Sequence, residues 1–479
     1  MKRFGTCSFL LLMLLSSTFS QNTLSGVVVD KELGLPIPQV HILKLNDSSF
    51  FTTSDATGYF MLDKKGSYEF SVIGYQKKMV SIHENGIIVQ LSSKVSELNQ
   101  VIISASHIPG KLINSSSSIQ VLTQKDFDRE NSLNIAPLLN KVPGVYMQSG
   151  ALNTNKITIR GIGSRNLYGT SKIKAYYQDI PLTTGGGETN IEDFELNSMA
   201  RIEVLKGGIS SIYGAGLGGA IQLIPNKALL NQNSIVGGFQ FGSYGLIKES
   251  IGINTGLNRS SFSINYSNTH RKGYRENNKY DRQSINFVSV HYPGTSNKIS
   301  IVASYIDLKA FIPSSLNDFL FKLQPTAAAY NWLRARGFEY SKRGIFGVSW
   351  NHQFKHKLKL ITSIFTSFRD AYEARPFNIL EESTIAAGIR SRLLGTGSMF
   401  NKAFVWTFGG EYFTDWHPLK TFENIISDYP GDPGSHKGTE RSNFKERRTH
   451  FNFFFESIHH FSALTKISIG INFNGYVLE

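Results

Sequence analysis

The stretch that decides the fold is residues 199–225, MARIEVLKGGISSIYGAGLGGAIQLIP. Two apolar runs with the character of β-strands, 202–205 and 220–225, flank a glycine-rich connection. Gly207 and Gly208 follow the first run, where glycine allows positive φ or a close backbone approach. Residues 214–219 match G-x-G-x-x-G, but a dinucleotide loop leads into a helix, whereas this one leads into a strand that ends in proline. The stretch therefore predicts part of a small sheet and no nucleotide site.

Four more blocks precede this stretch in a fixed order. They are SIQVLTQKDFDRE at 118–130, APLLNKVPGVYMQ at 136–148, ITIRGIG at 157–163 and YYQDIPL at 176–182. The second block has apolar residues at helical spacing and stops at Pro143-Gly144. Together the five blocks closely resemble the plug domain of TonB-dependent outer-membrane receptors. We therefore predict a plug domain over residues 119–228, a small α/β unit that the resemblance places inside a barrel.

The N-terminus has the layout of an export signal. Lys2 and Arg3 precede an apolar run at 9–15, and small residues surround a cut before Gln21. The run is too short to span a bilayer, which takes about 20 residues. We predict a cleaved signal peptide over 1–20. Cys7, the one cysteine, lies within it, so the mature chain is expected to contain no disulfide and no Cys-ligated metal site.

Residues 22–97 predict a small β-sandwich, because short β-rich runs alternate with turn residues. The segments SGVVVDKELGLPIPQVHI, TSDATGYFML and FSVIGYQKK resemble the carboxypeptidase-regulatory-like domain. That domain often precedes outer-membrane receptors in Bacteroidetes-type bacteria, and its name implies no peptidase. His83-Glu84 resembles part of a zinc motif but has no second ligand at helical spacing, so we interpret it as a solvated loop.

Residues 235–479 alternate between apolar and polar positions over many short segments. Ile247, Ile251 and Ile253 alternate with polar or small residues. The same pattern recurs near 262–266, 299–305, 358–368 and 466–474. Alternation over about ten residues is the pattern of outer-membrane strands. The predicted fold class is thus mainly β: an N-terminal β-sandwich, a small α/β plug domain and the first part of an antiparallel transmembrane β-barrel.

The spacing of the turns predicts the two ends of this barrel. Short turns near 258–260, 293–297 and 355–357 alternate with long polar connections near 269–283, 309–342, 370–382 and 417–445, and long connections face the outside in such barrels. Eleven or twelve strands fit between 235 and 479, whereas plugged transporters have about 22. We expect a receptor truncated within the barrel; a genuine half-size barrel is the alternative.

A short extended segment ahead of the plug resembles the TonB box. It lies within the linker 98–118, lacks the usual acidic start, and comprises Leu98, Asn99, Gln100, Val101, Ile102, Ile103, Ser104 and Ala105. A β-branched run of this kind can pair edge-to-edge with a strand of a partner. The alternative is an ordinary last strand of the preceding domain.

Charged residues among the apolar strands of the plug are the second set of candidates. The resemblance implies that charges in the "RG" and "RIEV" blocks meet opposite charges on the barrel wall and hold the plug until TonB pulls. The candidates for this lock are Arg160, Arg201, Glu203 and Lys206. The alternative is that they form a solvated plug surface.

Basic residues in the connections are the candidates for ligand capture. The chain carries a net charge of +14, and residues 231–479 hold 29 Lys and Arg against 19 Asp and Glu. Clusters that also hold aromatic residues predict capture of an anionic, oxygen-rich chelate, with attraction to lipid phosphates as the alternative. The predicted ligand-loop residues are Arg271, Lys272, Tyr274, Arg275, Arg334 and Arg336.

The resemblance implies an energised outer-membrane receptor and no enzyme. Neither catalytic residues, nor a resident metal, nor a cofactor is predicted. The expected partners are the inner-membrane TonB protein, a ferric siderophore or ferric citrate, and outer-membrane lipid, without nucleic acid. Three alternatives stay open: a truncated, non-conducting surface binding protein; a receptor for haem or cobalamin, although the adjacent His459 and His460 point to opposite faces of a strand and cannot share one iron; and a glycan importer.

Overall fold

The protein is described by a computed structural model. The residues it describes are 23–31, 34–45, 51–92, 102–103, 110–111, 115, 118–130, 133–151, 154–165, 170, 172–184, 189–207, 211–214, 216–354, 357–399, 402–462 and 465–479. The predicted signal peptide lies outside them. So do residues 98–101 and 104–105 of the predicted TonB box. The chain divides into two compact units, residues 1–99 and 100–479.

The first unit consists of two sheets. The strands are β1 (Leu24–Asp30), β2 (His41–Lys44), β3 (Phe51–Thr53), β4 (Tyr59–Leu62), β5 (Gly66–Ser71), β6 (Lys78–Ile82) and β7 (Ile87–Leu91). One sheet has the order β4-β1-β7 and the other β3-β2-β5-β6. Phe60 of the first sheet and Phe70 of the second are both fully buried, with ring centroids 5.2 Å apart. The two sheets thus share an apolar core.

The second unit begins with a short ladder and a mixed sheet. Its elements are β8 (Ile102–Ile103), β9 (Gly110–Lys111), β10 (Ser118–Thr123), α1 (Gln124–Phe127), α2 (Ala136–Asn140), β11 (Val145–Ala151), β12 (Thr154–Ile159), β13 (Ile173–Tyr177), β14 (Ile180–Pro181), β15 (Met199–Lys206) and β16 (Gly219–Pro225). Strand β8 pairs with β9, and β11 pairs with β12. The main sheet has the order β10-β15-β16-β13-β14. We call residues 118–228 the plug.

The two strands predicted from 199–225 lie side by side at the centre of the plug. β15 pairs antiparallel with β16, and the register places Val204 opposite Ile221 and Lys206 opposite Gly219. Both Val204 and Ile221 are fully buried. The two apolar runs that predicted these strands are therefore buried within the plug.

Gly219 occupies a position that no other residue fits. Its φ is +131°, and a Cβ added there would lie 2.0 Å from the carbonyl oxygen of Leu205. We expect Gly219→Ala to lower the free energy of unfolding of the plug by at least ~1–3 kcal/mol, the usual cost of backbone strain. Amide hydrogen exchange of β15 measures this loss. Gly237→Ala is the control, because a Cβ at Gly237 meets nothing within 4 Å, and unchanged exchange in Gly219→Ala would contradict the prediction.

The rest of the second unit is one antiparallel sheet of eleven strands in sequence order. They are β17 (Asn233–Gly242), β18 (Leu246–Gly256), β19 (Ser260–Arg271), β20 (Tyr280–Gly294), β21 (Asn297–Phe311), β22 (Phe338–Gln353), β23 (Leu358–Arg375), β24 (Asn378–Met399), β25 (Lys402–Ser427), β26 (Gly434–His460) and β27 (Lys466–Leu478). We call this sheet the wall.

The polar and apolar faces of the wall are exchanged relative to those of a sheet in a soluble protein. In β19 and β20 the buried residues include Ser263 and Asn286, whereas Ile264 and Ile285 are about 40% exposed on the opposite face. Polar groups therefore face inward and apolar groups outward, which is the pattern of strands that contact lipid. On the inner side, Val288, Val302, Phe365 and Phe413 join the apolar core of the plug.

The longest connections of the wall all lie at one of its two ends, as the sequence predicted. At one end the connections are 257–259, 295–296, 354–357, 400–401 and 461–465; at the other they are 243–245, 272–279, 312–337, 376–377 and 428–433. The connection 312–337 contains α3 (Asp318–Leu323) and α4 (Tyr330–Ala335). We call the second end the outer end. Among the described residues, no helix combines the length and the apolar character needed to cross a membrane.

The prediction of long connections near 370–382 and 417–445 was wrong about their length. Most of their residues extend strands β23 to β26, and only 376–377 and 428–433 connect them. β25 has 26 residues, or about 90 Å at ~3.4 Å per residue, whereas a membrane strand needs only about ten residues. Polarity alone did not distinguish a loop from a strand that continues beyond the membrane.

Candidate functional site

A cavity of about 970 Å³ lies between the plug and the outer part of the wall. We call it the chamber. The described residues that line it come from the plug, from six successive strands, β21 to β26, and from the connections 272–279, 312–337 and 376–377. Because neighbouring strands are only about 4.8 Å apart, six strands can line one cavity only if the sheet curves around it. The curved sheet and three connections of the outer end therefore enclose the chamber together with the plug.

Charged and aromatic side chains share the lining of the chamber. The cations are Lys156, Arg275, Arg343, Arg369, Arg375 and Arg448; the carboxylates are Asp193, Glu339, Glu373, Glu382 and Asp415; the aromatic residues are Phe194, Trp332, Phe365, Phe368, Phe377, Phe413 and His417. A large, partly apolar cavity with convergent polar groups is the usual form of a ligand site. In the described part of the chain, no three His, Cys, Asp or Glu side chains are grouped so that they could hold a metal ion.

An acidic turn of the plug meets basic residues of the wall. Glu195 accepts a hydrogen bond of 2.7 Å from Lys248 and lies 3.3 Å from Arg282, and all three side chains are at most 8% exposed. Asp193 of the same turn is 3.0 Å from Arg343, a chamber residue. Burial raises the pKa of the neighbouring Glu192 to about 8. Through Asp193 and Glu195, this turn therefore attaches the plug to strands of the wall, and one of these strands lines the chamber.

A second contact between plug and wall lies farther along the sheet, around Arg390. Its Nη1 donates to Glu411 and to the Tyr176 hydroxyl at 3.3 Å, and its Nη2 donates to the Ile212 carbonyl at 3.0 Å. Tyr176 also donates to Glu411 at 3.2 Å. Arg390 is 3% exposed and Glu411 2%. One buried ion pair of the wall therefore holds two elements of the plug.

Two polar contacts extend this second region. Ser211 donates from its backbone N–H and from its hydroxyl to Glu456 of β26, both at 3.1 Å. Arg392 of β24 donates to Asp179 of the plug at 2.5 Å. Gly214 lies beside Asn452, where an added Cβ would come within 2.9 Å of the amide. The plug therefore contacts β24, β25 and β26 through charged groups as well as apolar ones.

The four residues predicted to form the lock are placed mostly among plug residues. Arg201 donates to Glu203 of its own strand at 2.6 Å, and Glu203 is fully buried. Lys206 donates to the Pro143 carbonyl at 3.1 Å. Arg160 is exposed and has a φ of +50°. The ion pairs described above between plug and wall involve other residues, and a role of these four in plug release stays a prediction.

Of the six predicted ligand-loop residues, the structure brings one, Arg275, to the lining of the chamber. Its guanidinium donates to the carbonyls of Ala327 at 2.9 Å and Ser314 at 2.5 Å, which joins two connections of the outer end. Arg334 instead makes a bidentate ion pair with Asp428, with N–O distances of 2.6 to 3.0 Å.

The remaining four do not line the chamber. Arg336 ends α4 in the left-handed conformation and is exposed. The Tyr274 ring packs edge-on against Tyr244 at 5.1 Å. Lys272 lies beside Gly245, and Arg271 pairs through its backbone with Tyr280.

Most of the chamber residues were missed because they lie within strands. Arg343 and Arg369 lie on the inner face in the outer parts of β22 and β23, and Arg448 lies near the middle of β26. The sequence did contain one signal for these residues. It was a charged residue at an inward-facing position of an alternating strand, where a small polar residue is otherwise expected. The sequence alone did not show where along a 16- to 27-residue strand the plug would end and the chamber begin.

Comparisons with known proteins agree with this geometry. Residues 111–221 match the family model described as TonB-dependent Receptor Plug Domain. The ferrioxamine receptor of Yersinia enterocolitica is 26% identical over 118 residues, which is 24% of this chain and 16% of that protein. The TonB-dependent heme receptor A of Haemophilus ducreyi is 30% identical over 154 residues, 30% of this chain and 18% of that protein.

The similarity to solved structures covers more of the chain. The ferric citrate transporter FecA in its unliganded form aligns with a TM-score of 0.61 and 16% identity, over 76% of this chain and 60% of that one. The ferripyoverdine receptor of Pseudomonas aeruginosa aligns with a TM-score of 0.65 and 14% identity, over 85% and 58%. The chain thus spans about three fifths of the receptors it resembles in structure. Residues 111–221 are a TonB-dependent receptor plug domain, and with the wall that the plug faces they form the fold of the TonB-dependent receptors.

Proposed function

We propose that the chain acts as an outer-membrane receptor for a ferric chelate, most simply a ferric siderophore or ferric citrate, and that TonB supplies the energy for uptake. The single observation that carries this proposal is the chamber, which lies on the outer side of a plug held by buried ion pairs. A ligand captured from outside would rest on the plug, and passage would require the plug to move. Several relatives are named for iron compounds or iron regulation, including the iron-regulated outer membrane virulence protein of Vibrio cholerae.

The outward-facing apolar residues of the wall support an outer-membrane location, with lipid as their partner. A signal peptide over residues 1–20 belongs to the same proposal. The segment 98–105 is proposed as the TonB-binding strand. Ile102–Ile103 already form a backbone ladder with Gly110–Lys111, so this part of the segment adopts the extended conformation that pairing with a partner strand requires.

A haem receptor is the second candidate, and a residue that the sequence analysis did not consider favours it. His417 lines the chamber. Its Nδ1 lies 2.8 Å from the Thr384 hydroxyl and 3.6 Å from Glu382. A carboxylate near the second nitrogen commonly orients a histidine that binds iron. Loss of haem-dependent growth in His417→Ala, with other iron sources unaffected, would favour this candidate.

Growth under iron limitation tests the proposed function. We expect that cells in which the gene is disrupted fail to grow on at least one ferric chelate, and that the gene restores growth. Excess inorganic iron is the control, because it should support both strains equally. Equal growth of both strains on ferric hydroxamate, catecholate, citrate and haem would contradict the proposal.

A further inference from the structure

The cations of the chamber already have anionic or carbonyl partners. Arg343 donates to Glu339 at 2.6 Å and contacts Asp193 at 3.0 Å. Arg369 lies 3.2 Å from Glu382 and 3.5 Å from Glu339. Glu339 thus bridges two arginines of adjacent strands. All five side chains line the chamber and are less than about a quarter exposed.

The other four cations of the chamber also have partners, which are carboxylates for two of them and backbone carbonyls for the other two. Arg375 donates through Nε to Glu373 at 2.6 Å, and Arg448 makes a two-pronged pair with Asp415 at 2.7 and 3.1 Å. Arg275 donates to the two carbonyls described above. Lys156 donates to the carbonyl of Ser164 at 2.8 Å.

The chamber is therefore nearly neutral although the chain as a whole is basic. Six cations face five carboxylates, a balance of +1 over the described lining. Four of the five arginines already have their charge balanced by a carboxylate, so an anionic ligand gains little net attraction from them unless a pair separates, and an unpaired buried carboxylate is costly. A ligand without net charge avoids this cost.

The uncharged part of the lining fits the same kind of ligand. Phe365 and Phe413 lie 6.2 Å apart, and Trp332, Phe368 and Phe377 also line the cavity. Aromatic surfaces contribute affinity through burial and contact, whatever the charge of the ligand. The arginine N–H groups that remain can donate to neutral oxygens of the ligand without leaving their carboxylates.

We infer that the chamber selects a ferric chelate of zero net charge, of the tris-hydroxamate class, over anionic citrate or catecholate chelates. The inference rests on the proposed function. Three hydroxamate groups, each carrying one negative charge, balance the ferric ion and present neutral oxygens on an organic frame. This reverses the expectation of an anionic ligand, which rested on basic residues in the connections.

Binding to the purified full chain in detergent tests the inference. The probes are a neutral ferric tris-hydroxamate and a triply anionic ferric tris-catecholate, titrated separately while the quenching of tryptophan fluorescence, to which the chamber residue Trp332 contributes, is followed. We expect the neutral chelate to bind at least about tenfold more tightly. We also expect its affinity to change little with salt concentration, because no net charge is transferred into the chamber.

Glu373→Gln provides an internal test of the charge balance. Glu373 is the carboxylate paired with Arg375, so its removal gives an anionic ligand a free cation. The freed arginine can make a charge-assisted hydrogen bond to the anion, so we expect the ratio of catecholate to hydroxamate affinity to rise at least about tenfold, or ~1.4 kcal/mol. Glu423→Gln is the matched control, because Glu423 pairs with Arg441 on the exposed surface and does not line the chamber.

The outcomes separate the inference from the function on which it rests. Tighter binding of the catecholate by the unmodified chain would overturn the inference and leave the receptor function in place. An unchanged affinity ratio in Glu373→Gln would also overturn it. If neither chelate, nor ferric citrate, binds or supports growth through this chain, the proposed function fails first.

Discussion

Replacing Arg390 by methionine is expected to loosen the plug from the wall more than any other single substitution considered. The change leaves Glu411 buried without its main cation and removes the donors to Tyr176 and Ile212. Removing one partner of a buried ion pair costs ~3–5 kcal/mol. Amide hydrogen exchange of β13 should therefore accelerate by roughly 10²- to 10³-fold.

Two further variants make this prediction decisive. Arg390→Met combined with Glu411→Leu should recover much of the protection, because an apolar pair of similar volume is often as stable as a buried ion pair. Arg441→Met removes an exposed pair with Glu423 and should cost less than about 1 kcal/mol. If Arg390→Met exchanges no faster than Arg441→Met, this ion pair does not hold the plug.

Ile102→Pro is expected to abolish energised uptake while ligand binding is retained. Proline removes a backbone N–H and disfavours pairing within a ladder. Ile102 pairs through its backbone with Lys111, far along the chain from the chamber residues, so the chamber should be unaffected. Accumulation of a radioactive ferric chelate by whole cells measures uptake, and binding at low temperature measures capture.

Ile102→Val is the matched control, because valine keeps both the N–H and the preference for extended backbone. It should take up the chelate normally. Normal uptake by Ile102→Pro would remove the assignment of the TonB-binding strand. Loss of binding together with uptake would show instead that the substitution disrupts the fold.

The sequence predicted the elements whose patterns are local. The alternation of Ile251 and Ile253 with polar neighbours predicted β18, and the proline after 220–224 predicted the end of β16. Gly219 lies in the quoted stretch, but its strained backbone conformation became evident only in the structure. The eleven strands of the wall agree with the eleven or twelve expected between 235 and 479.

The candidate site was less predictable because it depends on pairs that are distant in the chain. Arg343 meets Asp193 across 150 positions, and Arg390 meets Tyr176 across 214. Neither partner is unusual within its own strand or turn. Conversely, Arg334 was chosen because it lies near an aromatic residue in a basic connection, and its pairing with Asp428 depends on how two connections fold together. Local charge predicted an anionic ligand, whereas the paired charges of the chamber favour a neutral one.

Energised uptake through the plug and the chamber is the function that we propose for this chain. Its most direct test is the accumulation of a radioactive ferric chelate by cells that express this chain, with and without an uncoupler of the proton-motive force. We expect accumulation to stop when the uncoupler is added, while surface binding of the chelate continues. Accumulation that continues unchanged in uncoupled cells would contradict this expectation.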